Sequence, residues 1–201
     1  NMLSHEPMSA LRKKLVRFTS THSDVTVSLS EMVKHDLIHY FGISKNKITT
    51  IYNHCDAQLL KSLCKDNPVG INTDPNRVNY VTMGRLNKQK GQWHLIRAFQ
   101  KVVKEFPNAH LYIMGEGELE QQLKDLISEL HLEKSITMTG YIKNPHGIYS
   151  QCEVFVFPSL FEGLGNVLLE ALAFDMPIIS SDCEAGPREI LAPNTDLLTK
   201  A

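Results

Sequence analysis

From about Val78 to the end of the chain, short apolar runs alternate with helix-period segments, and this alternation constrains the fold more than any other feature. The candidate strands are Val78–Gly84, His110–Gly115, Ser135–Gly140, Val154–Ser159 and Pro177–Asp182. Between them lie the candidate helices Gln92–Phe106, Glu118–Leu130, Pro145–Gln151 and Asn166–Phe174. Strands that alternate with helices imply right-handed βαβ units and a parallel sheet. The run Val154-Phe155-Val156-Phe157 is apolar on both faces, as a strand covered by helices on both sides must be. The expectation is an α/β fold with a Rossmann-like open parallel sheet and helices on both faces.

Residues 1–56 read as a different piece. Ser23–Leu29 alternates as a strand, and Ser28 with Glu31 matches a capping box opening a helix that runs to about Phe41. Gly42 supplies the left-handed stop, and Lys47–Tyr52 is a second strand. The polar stretch Lys65–Asn76, with Pro68, Gly70 and Pro75, reads as a surface connection. One βαβ unit cannot build a core of its own, so residues 1–56 are expected to be the tail of a larger domain. The predicted division is 1–66 for that tail with its connection and 67–201 for the second domain.

Composition removes several classes of function. Lys+Arg number 21 and Asp+Glu 22, a formal net charge of −1, which argues against nucleic acid as a partner. No apolar run approaches the ~18–20 residues needed to cross a bilayer, and the opening NMLSHEPMSALRKK lacks the apolar centre of a secretory signal. Cys55, Cys64, Cys152 and Cys183 form no C-x-x-C pair, and scattered single cysteines fit a reducing, cytoplasmic compartment. The closest histidine pair, His35 and His39, falls on a helix face turned from the apolar stripe and has no third ligand nearby. Neither a metal nor a cofactor is expected.

In open parallel sheets ligands bind beyond the carboxyl ends of the strands, and here each strand leads into a distinctive loop. Gly84-Arg85-Leu86-Asn87-Lys88-Gln89-Lys90-Gly91 combines backbone freedom with two cations suited to a pyrophosphate, or is simply a solvated basic loop. Gly115-Glu116-Gly117 opens like a dinucleotide fingerprint, but Glu120 stands at its third glycine position, so a dehydrogenase site is not expected and turn glycines are the plainer reading. The sharpest signal is Glu162-Gly163-Leu164-Gly165-Asn166-Val167-Leu168-Leu169-Glu170, a glycine loop running into a helix start. Amide groups at such a start suit a phosphate or sugar oxygen, and carboxylates accept hydrogen bonds from vicinal hydroxyls. Glu170 also reads as an ordinary helix residue, although Leu168, Leu169, Ala171 and Leu172 surround it. Finally, Gly186 opens a turn and Pro187 suits the first position of a short helix holding Arg188 and Glu189.

Taken together, these stretches resemble the family-4 retaining glycosyltransferases, which have the GT-B fold of two facing Rossmann-like domains. The resemblance is carried by Ile51-Tyr52-Asn53 with Asp56, by Gly84-Arg85-Leu86 with Lys90-Gly91, by Gly115-Glu116-Gly117, by Glu162 through Ala171, and by Gly186-Pro187-Arg188-Glu189-Ile190, in the family's order. It implies that Arg85 and Lys90 neutralise the diphosphate of a nucleotide-sugar, with Gly84, Gly115 and Gly117 beside it. It implies that Glu162 meets the donor sugar, that the Gly163–Asn166 backbone with Leu164, Gly165 and Val167 cradles sugar and phosphate, and that Glu170 holds the ribose. Tyr141 and Ile142 would lie against the base. Retaining members of this fold react on one face, the leaving phosphate helping to deprotonate the acceptor, so no protein nucleophile is required.

The sequence departs from the family at three places. Leu164 replaces a usual aromatic residue, Asp175 replaces a glycine just past the helix, and His54-Cys55 replaces Gly-Val. A left-handed Asp175 would cost roughly 1–2 kcal/mol relative to glycine. The resemblance also implies an acceptor-binding domain of ~150 residues or more beyond residues 1–56, a normal domain size. The chain is therefore expected to bind a donor, a UDP-sugar by resemblance, without transferring the sugar by itself. The setting implied is transfer to a glycan or lipid-linked acceptor in polysaccharide or lipopolysaccharide assembly. An inactive nucleotide-sugar binding module and a GT-B-like nucleotide-sugar epimerase are the alternatives. Residues 8–18 place Arg12, Lys13, Lys14 and Arg17 beside Leu11, Leu15, Val16 and Phe18. This is an amphipathic helix of the larger domain with its cations in water or, on a sharper reading, a peripheral contact with anionic lipid at the inner membrane face.

Overall fold

The computed structural model describes residues 10–64, 73–183 and 185–195. The predicted domain boundary at 66/67, residues 65–72 of the expected connection, residues 8 and 9 of the basic segment and Glu184 lie outside the described residues. The chain divides into two compact units: one from Asn1–His54, Phe161–Asn166 and Asp182–Ala201, the other from Cys55–Leu160 and Val167–Ser181.

In the first unit, helix α1 (Ala10–His22) precedes strand β1 (Thr26–Ser28), helix α2 (Glu31–His39) and strand β2 (Ile48–Thr50), and β1 pairs parallel with β2. Leu37, Phe41, Ile43 and Ile48 form its small core, against which Val16 of α1 packs. Leu11, Leu15 and Phe18 of α1 are exposed. Gly42 takes φ +66°, the left-handed stop expected of it. The cap lies two residues beyond the serine that the spacing predicts. Ser30 caps α2, its Oγ accepting the Val33 amide at 3.2 Å, whereas Ser28 belongs to β1 and its hydroxyl pairs with Thr50 Oγ1 at 3.0 Å. His35 and His39 lie with ring centroids 4.0 Å apart, His39 exposed but His35 half-buried rather than fully solvated.

The second unit opens with a helix that periodicity did not reveal, α3 (Ala57–Leu63), capped by Asp56 accepting the Leu59 amide at 3.0 Å. Then follow β3 (Val78–Met83), α4 (Gln92–Glu105), β4 (Ala109–Met114), α5 (Glu120–Glu129), β5 (Ile136–Gly140), α6 (His146–Tyr149) and β6 (Val154–Phe157). Helix α7 (Asn166–Ala173) begins at the last residue of the first unit's glycine loop, β7 (Ile178–Ser180) completes the sheet, and α8 (Pro187–Leu191) belongs to the first unit. Every predicted strand and helix after Val78 is present, most of them one to three residues shorter at an end.

The five strands run parallel in the order β5-β4-β3-β6-β7. All six residues of β4 are buried, as both faces are covered. On one face Leu111, Ile113 and Val156 join Leu95, Ile96 and Phe99 of α4 and Leu123 and Ile127 of α5. On the other, Tyr149 of α6 meets Phe155 of β6 edge-on at 5.6 Å. Alternate residues of β6 thus serve opposite layers, as its unbroken apolar run requires.

Candidate functional site

Successive strands β3, β4 and β5 step one way across the sheet, whereas β6 and β7 lie on the other side of β3. The order reverses between β3 and β6, and a crevice forms where loops leave such a reversal in opposite directions. The loop after β3 is fastened across this point. Gly91 takes φ +62° against the Pro158 carbonyl, where any Cβ would collide, and the Leu160 amide donates to Gln89 O at 2.8 Å. Lys90 follows from that anchorage. Its amide donates to Asn87 Oδ1 at 3.1 Å, its stem passes over Gly84, and Nζ stands 5.7 Å above the Phe157 ring. Arg85 is exposed, and Gln92 Nε2 holds its carbonyl at 3.1 Å.

The loops after β3 and β4 lock together through backbone. Gly115, at φ +128°, has room for no side chain because Gly84 O occupies the space, and Gly117 is pressed likewise against the backbone of Leu86. The Leu86 amide donates to Glu116 O at 2.9 Å and the Leu119 amide to Leu86 O at 3.0 Å. Beside this junction is a cavity of about 350 Å³ lined by Met83, Gly84, Arg85, Met114, Gly115, Glu116, Tyr141 and Ile142. Five residues singled out from sequence therefore share one cavity, while Gly117 and Lys90 stand outside its lining. Sequence reasoning missed Met83, Met114 and Glu116 as lining residues. Glu116 was legible from its place between two strand-end glycines, and its Oε1 accepts the Tyr141 amide at 3.3 Å. A larger cavity of about 490 Å³ between α4 and α5, with Trp93 and Arg97 in its wall, touches no strand end.

Glu170 lies on α7 with its side chain 26% exposed, its Oε2 4.0 Å from His146 Nε2. Burial raises the Glu170 carboxyl above the usual carboxylate range and lowers the His146 imidazole. His146 is fixed by Asn144 Oδ1 at 2.8 Å from Nδ1 and stacks on Phe174. Val167, next on α7 after Asn166, is half-buried.

The remaining predicted residues belong to the first unit. Glu162 and Leu164 are buried, Gly163 has open space around it, and Gly165 takes φ +86°. Gly186, at φ +82°, leans on the Leu164 carbonyl so closely that a Cβ could not be added. Asn166 Oδ1 accepts from Asn53 Nδ2 at 2.8 Å. Arg188 engages both oxygens of Asp182, which holds that carboxyl below its usual range. Glu189 accepts the Glu31 and Met32 amides at 2.8 and 3.1 Å and the Tyr52 hydroxyl at 2.8 Å. Among the described residues no group of three His, Cys, Asp or Glu side chains is placed to hold a metal ion, and no helix is long and apolar enough to cross a membrane.

The chain matches known proteins over most of its length. An uncharacterized glycosyltransferase of Methanocaldococcus jannaschii is 37% identical over 182 residues, 89% of this chain and 45% of that protein. The N-acetylgalactosamine-N,N'-diacetylbacillosaminyl-diphospho-undecaprenol 4-alpha-N-acetylgalactosaminyltransferase of Campylobacter jejuni is 32% identical over 188 residues, 90% of this chain and 48% of that protein. The chain thus spans about half the length of these curated relatives. Among solved structures, Anabaena HepE in complex with UDP-glucose superposes with a TM-score of 0.78 at 21% identity, covering 94% of this chain and 53% of that one. The fold is of the GT-B type. The family description "Glycosyltransferase Family 4" matches residues 2–59, and "Glycosyl transferases group 1" matches residues 65–200. That second match takes in the sheet, the cavity between its loops and the glycine loop before α7, and by it the chain belongs to the group 1 glycosyl transferases.

Proposed function

We propose that this chain supplies the donor-binding part of a retaining glycosyltransferase that moves a sugar from a UDP-sugar to a glycan or lipid-linked acceptor. The observation that carries the reading is the cavity at the ends of β3 and β4, which gathers Gly84, Arg85, Gly115, Tyr141 and Ile142. In it Tyr141 and Ile142 lie against the base and Arg85 neutralises the diphosphate, joined by Lys90 from outside the lining. Glu170 takes the ribose hydroxyls; Glu162 meets the sugar; the Gly163–Asn166 backbone, with Gly117, Leu164 and Val167 as supports, shapes its surroundings. Stabilising the charge that develops on the departing diphosphate is then the main catalytic contribution of Arg85 and Lys90. The leaving phosphate deprotonates the acceptor on the same face, and neither a metal nor a cofactor has a part.

Solved structures of HepE in complex with UDP and with UDP-glucose support the choice of nucleotide. The undecaprenol-linked substrate in the name of the C. jejuni relative, and relatives named for lipopolysaccharide core and capsular polysaccharide biosynthesis, support the class of acceptor. We assign residues 1–66 to the tail of an acceptor-binding domain and 67–201 to the donor domain. Transfer then requires acceptor-binding residues beyond this chain, in a cytoplasmic enzyme. Peripheral contact with the inner membrane face is supported by α1, whose exposed Leu11, Leu15 and Phe18 stand among Arg12, Lys13, Lys14 and Arg17.

Calorimetric titration with UDP-, GDP- and ADP-sugars tests the reading, repeated with Glu170→Ala. Binding of a UDP-sugar that weakens by about 1–3 kcal/mol in the variant is expected. Absence of binding by a folded chain would overturn it.

A further inference from the structure

Two consecutive side chains, Tyr52 and Asn53, fasten the glycine loop Phe161–Asn166 of their own unit. Asn53 Nδ2 donates to Asn166 Oδ1 at 2.8 Å, at the end of the loop where α7 begins. Tyr52 donates to Glu189 Oε2 at 2.8 Å, and the same carboxylate receives the Glu31 and Met32 amides. Glu189 lies on α8, whose preceding Gly186 is packed against the Leu164 carbonyl in the middle of the loop. The loop is therefore held at its centre through Gly186 and at its end through Asn166. Both holds trace back to residues 52 and 53.

We infer that Asn53 is a positioning residue for donor binding, acting through Asn166, and that Tyr52 supports it through Glu189. The inference rests on the reading that this loop contacts the nucleotide-sugar. An asparagine amide held by its oxygen keeps its nitrogen as the donor available to a sugar or phosphate oxygen. Without that hold the Asn166 side chain samples several rotamers and must be ordered at each binding event, which costs affinity. Residues 52 and 53 lie within the Family 4 match and Asn166 within the group 1 match, so a segment of one part of the family sets the loop geometry of the other.

The exposed position of Asn53 makes its substitution compatible with folding. Asn53→Ala and Asn53→Asp are compared with the parent chain by calorimetry with UDP-glucose and by amide hydrogen exchange at residues 163, 165 and 166 without ligand. Asn53→Ala is expected to weaken UDP-glucose binding about 5–10-fold and to speed exchange at those amides, with the melting temperature unchanged. Asn53→Asp is expected to restore slow exchange but not affinity, because the Asn166 amide can turn its nitrogen toward the new carboxylate and that nitrogen is then no longer the donor for the ligand. Unchanged exchange in Asn53→Ala overturns the inference whatever the chain binds, and so does an Asp variant whose amides exchange as fast as those of the Ala variant or which binds UDP-glucose as tightly as the parent. Faster exchange in a chain that binds no UDP-glucose supports the fastening and overturns the donor reading instead.

Discussion

Glu170 Oε2 and His146 Nε2 stand 4.0 Å apart, and burial pushes both groups toward their neutral forms. At this distance an ionised pair would attract, but desolvation penalises each charge separately. A half-buried carboxylate with a raised pKa destabilises the fold wherever it is ionised.

Glu170→Gln removes that burden. A group whose folded pKa is raised contributes full stability below its unfolded value of 4.5 and loses it as pH rises through the folded value. Urea unfolding at pH 5 and pH 8 is expected to show a variant equal to or more stable than the parent at pH 8, by up to ~1 kcal/mol, with a smaller difference at pH 5. On the proposed ribose contact, affinity for a UDP-sugar is expected to fall in the same variant, so that stability and binding move in opposite directions.

Glu189 provides a second test. Its carboxylate satisfies the first two amides of α2 while Ser30 satisfies the third, a near-complete cap at the positive end of the helix. Glu189→Ala is expected to cost about 1–2 kcal/mol in denaturant unfolding. The Tyr52 phenol, pushed up to about 12 by burial first and by Glu189 second, should titrate closer to its ordinary value of 10.0 in the variant. Tyrosinate absorbance, with Tyr52→Phe as the reference, reads this directly.

His110 makes the fold sensitive to mild acid. Arg77 Nη1 lies 2.6 Å from its Nδ1 and Thr137 Oγ1 lies 2.8 Å from its Nε2. Arginine only donates, so Nδ1 accepts and the proton sits on Nε2. Burial and the Arg77 charge lower the imidazole pKa below 6.5. The unfolded chain then binds more protons below pH 6.5, and stability falls as pH drops through that value. His110→Gln is expected to flatten the change in melting temperature between pH 7 and pH 5. Some slope remains, because His146 is lowered by burial too.

Asp175 adopts φ +55°, the left-handed conformation expected at this family-glycine position, and pairs with Lys61 Nζ at 2.7 Å. Both partners are exposed, so the pair contributes at most ~1 kcal/mol. Glycine relieves about 1–2 kcal/mol of backbone cost. Asp175→Gly is therefore expected to raise stability by ~0.5 kcal/mol, measured as a small rise in melting temperature, and a fall of more than ~1 kcal/mol would show that the ion pair dominates.

The sheet was legible because strands buried on both faces must be apolar throughout, and Val154–Phe157 and Ala109–Met114 are. Helix α3 was not, since the seven residues Ala57–Leu63 are too few for an apolar period to stand out. The Ser28-for-Ser30 error has a similar origin: with three serine or threonine hydroxyls near a strand end, spacing alone cannot choose which one caps. Glycines fared better than charges. The close approaches at Gly91, Gly115 and Gly186 follow from residue type and loop position, whereas the cap that Glu189 places on α2 depends on a contact across 158 positions and leaves no local trace.

The first unit is assembled from stretches that the second unit interrupts twice. During synthesis, α1, β1, α2 and β2 emerge long before residue 189, so the amides of Glu31 and Met32 must rely on water until Glu189 arrives. Closing so long a loop costs entropy that grows only slowly with length, but native contacts between distant positions slow the search for them. The five-stranded sheet, four of whose strands come from the unbroken stretch Cys55–Leu160, is thus expected to form before the first unit is complete.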